Sequence, residues 1–213
     1  MLAKKMTSYG VLMSKCCLKF DISVGVMVVL DTNSMLKKYF DGESLELIVA
    51  HGKSVAELAL DIGHSLGLAD DELIFIEEAA MLHDIGVCRV HAPGIGMSGG
   101  SHYIMHGILG RAILEDEGLP RHALVCERHI GVGLNEADIV SQGLPLPIRD
   151  MTPQVLTEEI ICFSDLFFSK TPGRLSYRKP VQRVREKLAG FGEGKVQIFD
   201  TWLVRFGDAL LKD

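Results

Sequence analysis

The sequence has no apolar run near the ~20 residues that a helix needs to cross a bilayer. Its longest candidate, Ile22 to Leu30, has nine. The N-terminus carries Lys4 and Lys5 ahead of apolar residues, in the manner of a secretory leader. Lys19 and Asp21 interrupt that stretch and no small-residue cleavage site follows, so a secretory signal is not expected. There are five cysteines, an odd number, and no CxxC pair. A disulfide framework or a thiolate zinc site is therefore not expected, and a reducing cytoplasm fits. Basic charge is also in deficit. Twenty-two Lys and Arg against 28 Asp and Glu leave a net charge of −6. A sequence-independent grip on nucleic acid needs Lys and Arg against phosphate, so that class is disfavoured. A small phosphorylated ligand held by a local cation is not.

What is present is mostly helical periodicity. Residues 1–34 are set apart as a leader of uncertain role, holding one candidate strand at Val24 to Val29. From Met35 to residue 213 the pattern is that of an all-α bundle. Ile48, His51, Val55, Leu58 and Ile62 recur at helical spacing, and Gly67 closes the run. Asp70-Asp71-Glu72 opens a second helix that carries Ile76, Ala80 and His83 on one face and stops at Gly86. A Gly-rich loop spans about 90–100, as a lid or a plain surface connection. Further helices are expected from Ser101 to Gly118, from Pro120 to before Gly131, and from an Asn135 cap paired with Asp138. Thr152-Pro153 predicts a cap and first-turn proline for a helix reaching about Lys170. Val196, Phe199, Leu203, Phe206 and Leu210 give a final packing stripe.

The eight histidines all fall between positions 51 and 129. Their phase is more informative than their number. His51, His83 with Asp84, His106, His129 and Asp165 each lie on the apolar side of a separate predicted helix. A buried imidazole or carboxylate is costly unless it is paired or metal-bound. One such residue is usually a satisfied core group, but several converging in one small bundle point to a metal centre. Nitrogen and oxygen donors without thiolate suit one or two divalent transition ions: Fe, Mn, Zn, Co or Ni.

The order of these residues resembles the HD superfamily of metal-dependent phosphohydrolases. Ala79-Ala80-Met81-Leu82-His83-Asp84-Ile85-Gly86 is similar to the HDIG subgroup motif. His51-Gly52-Lys53-Ser54 resembles the helix of the first ligand. His106-Gly107-Ile108-Leu109-Gly110 and His129-Ile130-Gly131 resemble elements of two-metal members. The resemblance covers about residues 40–170. It implies that His51, His83, Asp84 and Asp165 hold one ion. Asp84 would bridge to a second ion completed by His106 and His129, with Asp84 and His83 at the catalytic centre. It further implies hydrolysis of a phosphoester or phosphoanhydride of a nucleotide or other small phosphorylated metabolite by a metal-activated water. No Gly-Tyr-Pro follows His129, which separates the chain from HD-GYP cyclic-dinucleotide enzymes.

For substrate contacts the sequence offers Lys170, beyond Asp165, and Arg128, beside His129, with His102 and His122 as further candidates. Neither nucleic acid nor membrane is expected as a partner, and a homodimer stays open. A non-catalytic HD module that binds metal and nucleotide is the competing reading.

Overall fold

The computed structural model describes residues 29–211. The strand expected at 24–29 and the Cys16–Cys17 pair therefore fall essentially outside the described residues. The chain runs α1 (Thr32–Leu36), α2 (Gly42–Ser65) and α3 (Asp70–Leu82). A 3-10 segment (Ile85–Arg89) and a two-residue hairpin follow, β1 (His91–Ala92) against β2 (Met97–Ser98). Next come a 3-10 turn (Tyr103–Met105), α4 (His106–Asp116), α5 (Pro120–Arg128) and α6 (Glu136–Ser141). α7 (Leu156–Leu166), α8 (Val181–Ala189) and α9 (Glu193–Phe206) complete the helices. The architecture is an all-α bundle. Among the described residues no helix is long and apolar enough to cross a membrane.

Several of the local signals act as written. Gly67 follows α2 with a positive φ of 66°. The negative first turn of α3 suits the positive end of the helix dipole. Pro120 starts α5, where its missing N–H costs nothing. Asn135 and Asp138 form a reciprocal capping box on α6.

Three expectations change. The 90–100 segment, expected as a lid or a plain surface connection, carries a short hairpin in which His91 pairs with Ser98. Thr152-Pro153 does not cap α7. Met151 instead bridges Leu134 in antiparallel fashion. The carboxylate of Asp150 takes the Thr152 N–H and hydroxyl. Tertiary contact with the 131–134 loop thus overrides the local signal, and the N-cap moves to Val155. α7 also stops at Leu166, short of Lys170, which leaves Lys170 in a loop. The chain then enters α8, whose buried residues are Val184 and Leu188.

Two large cores meet along α2. Val55, Leu58, Ala59 and Ile62 pack with Phe163, Phe167, Phe199 and Phe206 from α7, α9 and their ends. The rings of Phe163 and Phe199 stack at 5.6 Å, and Phe206 meets Phe163 edge-on at 5.4 Å. Nearer the start of α2, Leu47 and Ile48 pack with Leu82, Ile85, Ile113 and Leu114. His51 sits between these two sets on the same helix face. α3 makes the same passage, from Ile76 in the first core to Leu82 in the second. The seam between the cores is where the polar side chains gather.

Glycine sets how closely the helices approach that seam. A Cβ built on Gly86 would lie 2.0 Å from the His106 carbonyl and 2.3 Å from the Gly110 nitrogen. One built on Gly107 would lie 2.7 Å from the Cys126 carbonyl. Only bare backbone lets the turn after α3 rest on α4, and α4 on α5. That contact brings His106 and His129 within reach of Asp84.

Candidate metal centre

His51 projects from the middle of α2, and His83 and Asp84 from the junction between α3 and the 3-10 segment that follows it. His106 opens α4, His129 closes α5, and Asp165 lies in the last turn of α7. All six expected ligands meet in one place. His51, His83, Asp84, His106 and His129 are at most 4% exposed.

The carboxylate of Asp84 divides the cluster. Its Oδ2 lies 3.3 Å from His51 Nε2 and 3.1 Å from His83 Nε2. Its Oδ1 lies 3.5 Å from both His106 Nε2 and His129 Nε2. Asp165 Oδ1 joins the first side, 3.0 Å from His51 Nε2 and 3.5 Å from His83 Nε2. One oxygen of Asp84 thus faces each group of rings. The sets His51–His83–Asp84 and Asp84–His106–His129 each present donor atoms within 4.8 Å of one another.

The rings are oriented by their own backbone. His83 Nδ1 lies 2.6 Å from the Ala80 carbonyl, His106 Nδ1 2.7 Å from that of Tyr103, and His129 Nδ1 2.8 Å from that of Cys126. In every case the partner lies three residues back. A carbonyl can only accept, so each Nδ1 carries the hydrogen and aims Nε2 inward. This is the arrangement by which metal-binding imidazoles are fixed in one tautomer. His106 Nε2 and His129 Nε2 then face each other at 3.1 Å. Two lone pairs so close need a shared cation or a proton.

The donors fit a divalent ion on a further ground. Both nitrogens of His51, Nε2 of His83 and both oxygens of Asp84 are buried without a partner in hydrogen-bonding geometry. Buried polar atoms in folded proteins are nearly always satisfied, so such a concentration requires an explanation. A cation seated among them supplies it. Cys126 does not compete as a ligand: its Sγ contacts the Leu82 carbonyl, and burial pushes its thiol well up.

The electrostatics agree. Burial opposes charge on His83, but Asp84 and Asp165 outweigh it and push the imidazole up to about 10. Burial, His129 and Lys170 pull His106 down to about 3, against the pull of Asp84. Burial opposes ionisation of Asp84 as well, yet His83 and Lys170 hold it well below the usual carboxylate range. The carboxylates thus gather positive charge from any source in reach. The Lys170 ammonium, 2.7 Å from Asp84 Oδ2, is one such source.

A cleft of about 590 Å³ opens over the cluster. His106, His129 and Asp165 form part of its lining, and the 92–95 loop forms another part. Tyr103, Lys170, Thr171, Lys179 and Lys187 also line it. Its size suits a small-molecule site. Lys170 is thus where the sequence expects a substrate contact, although it arrives by a loop and not by a continued helix.

The other three expected contacts are placed elsewhere. Arg128 Nη1 lies 2.8 and 3.0 Å from the two oxygens of Glu158, which holds it against α7. His122 Nε2 lies 3.1 Å from Glu78 Oε2 and its ring meets Phe75 edge-on. His102 is exposed and absent from the cleft lining. Tyr103, Lys179 and Lys187 were not singled out by the sequence. Only the fold of the 166–187 segment over the cleft reveals the two lysines.

The helices and this cluster define an all-α bundle protein with a buried His/Asp centre fit to hold a metal. No protein-family model matches the chain. It is 33% identical over 133 residues to the uncharacterized protein MJ0778 of Methanocaldococcus jannaschii, covering 62% of this chain and 70% of that protein. The chain belongs to the family of that protein. A tRNA (cytidine(56)-2'-O)-methyltransferase of Thermoplasma volcanium is 28% identical over 163 residues, covering 76% of this chain and 43% of the enzyme. The enzyme of the same name from Picrophilus torridus is 28% identical over 121 residues, covering 56% and 31%. The match spans less than half the length of either methyltransferase. Among solved structures, the HD domain of the L. monocytogenes phosphodiesterase PgpH aligns with a TM-score of 0.48 at 15% identity, covering 84% of this chain and 98% of that domain.

Proposed function

We propose that the chain is an HD-superfamily, metal-dependent phosphohydrolase acting on a small phosphorylated compound of nucleotide type. The observation that carries this reading is the divided carboxylate of Asp84, with one oxygen toward His51 and His83 and the other toward His106 and His129. The motif order His51, His83-Asp84, His106, His129, Asp165 supports it independently.

On this reading His51, His83, Asp84 and Asp165 hold one divalent ion, and Asp84, His106 and His129 a second. When bound, such ions supply Lewis acidity toward a phosphoryl oxygen and lower the pKa of a water toward ~7. The protein supplies the rest. The backbone carbonyls behind His83, His106 and His129 keep the rings from turning. Lys170, Lys179 and Lys187 place positive charge along the cleft, where a phosphate group would lie. Asp84 is the residue on which both ion sites depend. The methyl transfer named for two relatives is not carried over, because the match covers less than half of each.

The test is a hydrolysis screen of the metal-loaded chain over mono-, di-, cyclic and dinucleoside phosphates, run beside Asp84→Ala. Metal-dependent phosphate release that Asp84→Ala lowers by about a thousandfold or more is expected. Metal binding with no turnover over that panel would favour the non-catalytic module instead.

A further inference from the structure

Beside the metal cleft lies a second cavity, of about 160 Å³. The two share Ile130, Gly131, Leu166, Lys179 and Lys187 as common wall, so they are compartments of one depression. Their chemistry differs. The second is lined by Ile104, Leu134, Leu144, Leu188 and Phe191. Of the three lysines in its lining, Lys195 is already engaged by the Gly133 carbonyl at 2.7 Å and by Asp138, and Lys179 by the carbonyls of Leu166, at 2.9 Å, and Phe168. It offers an incoming group almost only carbon.

Two further observations say what it accepts. Phe191 is 54% exposed at this cavity, so a large apolar ring is left in water where a ligand can cover it. A dry cavity of ~150 Å³ lined by Leu, Ile and Phe holds a benzene-sized guest, which matches the space available here. Lys179 and Lys187 stand at the junction of the two compartments, where an anionic group joined to such a guest would pass.

We propose that this site takes phosphoesters with an uncharged group of single-ring size. That group lies in the apolar compartment, while the phosphate lies at the junction against the exposed Lys187, with the charge of Lys179, held by the Leu166 and Phe168 carbonyls, behind it. The inference rests on the phosphohydrolase reading for what happens to the phosphate, but the pocket can be tested by binding alone.

Calorimetric titration of the metal-loaded full chain with inorganic phosphate and with phenyl phosphate makes the comparison. Phenyl phosphate is expected to bind about tenfold tighter or better, as burial of one ring allows. Phe191→Asp is expected to collapse that ratio to within about twofold, with metal content and melting temperature retained because the residue is exposed, and Phe191→Leu to restore most of it. Equal affinity in the wild type, or a preference that survives Phe191→Asp, would overturn the assignment. The two proposals fail separately. A ring preference that obeys Phe191 without any hydrolysis contradicts the hydrolase and upholds the pocket. Hydrolysis that ignores the ring does the reverse.

Discussion

Asp84 and Glu127 are both carboxylates withdrawn from water, 1% and 3% exposed. Glu127 is shared by Arg111, whose Nη1 donates at 2.5 Å, and by Arg149. Both arginines keep contact with solvent, so the group is a neutralised structural tie between α5, α4 and the 149 loop. Asp84 is surrounded by four imidazole Nε2 atoms, three of them on rings that hold a hydrogen on the far side, and by a single ammonium, that of Lys170, 2.7 Å from its Oδ2. Burial of charge is common to both regions. What separates a candidate site from a structural tie is a set of ring nitrogens and carboxylate oxygens that converge in the interior, several of them with no hydrogen-bond partner.

That contrast can be broken in order of expected effect. The largest change should come from Asp84→Ala, which removes the carboxylate that faces both groups of rings. Elemental analysis should find less than about a tenth of the wild-type metal, and hydrolysis should fall with it. Retention of full metal content would make Asp84 no different in kind from Glu127.

Gly86→Ala comes next. Its new methyl would meet the His106 carbonyl and the backbone of Gly110, which cannot turn aside as a side chain would. A loss of about 3 kcal/mol or more in denaturant unfolding is expected, with metal affinity reduced because α4 is pushed from Asp84. Wild-type stability in this variant would show that the glycine contact does not set the spacing of the centre.

Glu127→Ala should cost about 2 kcal/mol, since Arg111 and Arg149 can return to water. It should leave metal content unchanged. A loss of metal here would join the two regions into one network.

The smallest effect concerns pH. Burial pulls Lys179 down to about 8, from an ordinary value of 10.5. Below about 8 it is a cation at the cleft, and above that value it is neutral. Phosphate affinity should therefore weaken as pH rises through 8, and Lys179→Met should remove that step. Stability moves oppositely. Between about 8 and 10.5 the unfolded chain keeps a proton that the folded chain has lost, so folding is favoured as pH rises through that window. A phosphate affinity flat across pH 8 in the wild type would place Lys179 outside the binding path.

The sequence made the clustered His and Asp residues easier to find than their surroundings. His51 is identified by its phase with Ile48 and Val55, and helix phase survives folding because the helix forms locally. His83-Asp84, His106, His129 and Asp165 follow by the same logic, although both ends expected for the Asp165 helix are displaced in the fold. Arg128 and His122 share that phase information yet face Glu158 and Glu78, which are 30 and 44 residues distant in the chain. No local pattern records such pairings. Lys170 was found for the wrong reason, as an extension of α7. In the fold, the chain leaves the helix at Leu166 and turns the lysine back to Asp84. Lys179 and Lys187 carry no local signal, and only the folded segment after α7 places them at the cleft. The Thr152-Pro153 signal fails because Met151 is engaged with Leu134, a contact set by the fold as a whole.

The central claim is that a single carboxylate divides two cation sites. Elemental analysis of the chain saturated with a divalent transition metal, beside His106→Ala and His129→Ala, tests it most directly. The account predicts about two ions per wild-type chain and about one in each variant, because His51, His83, Asp84 and Asp165 remain. Equal occupancy in all three proteins would contradict it.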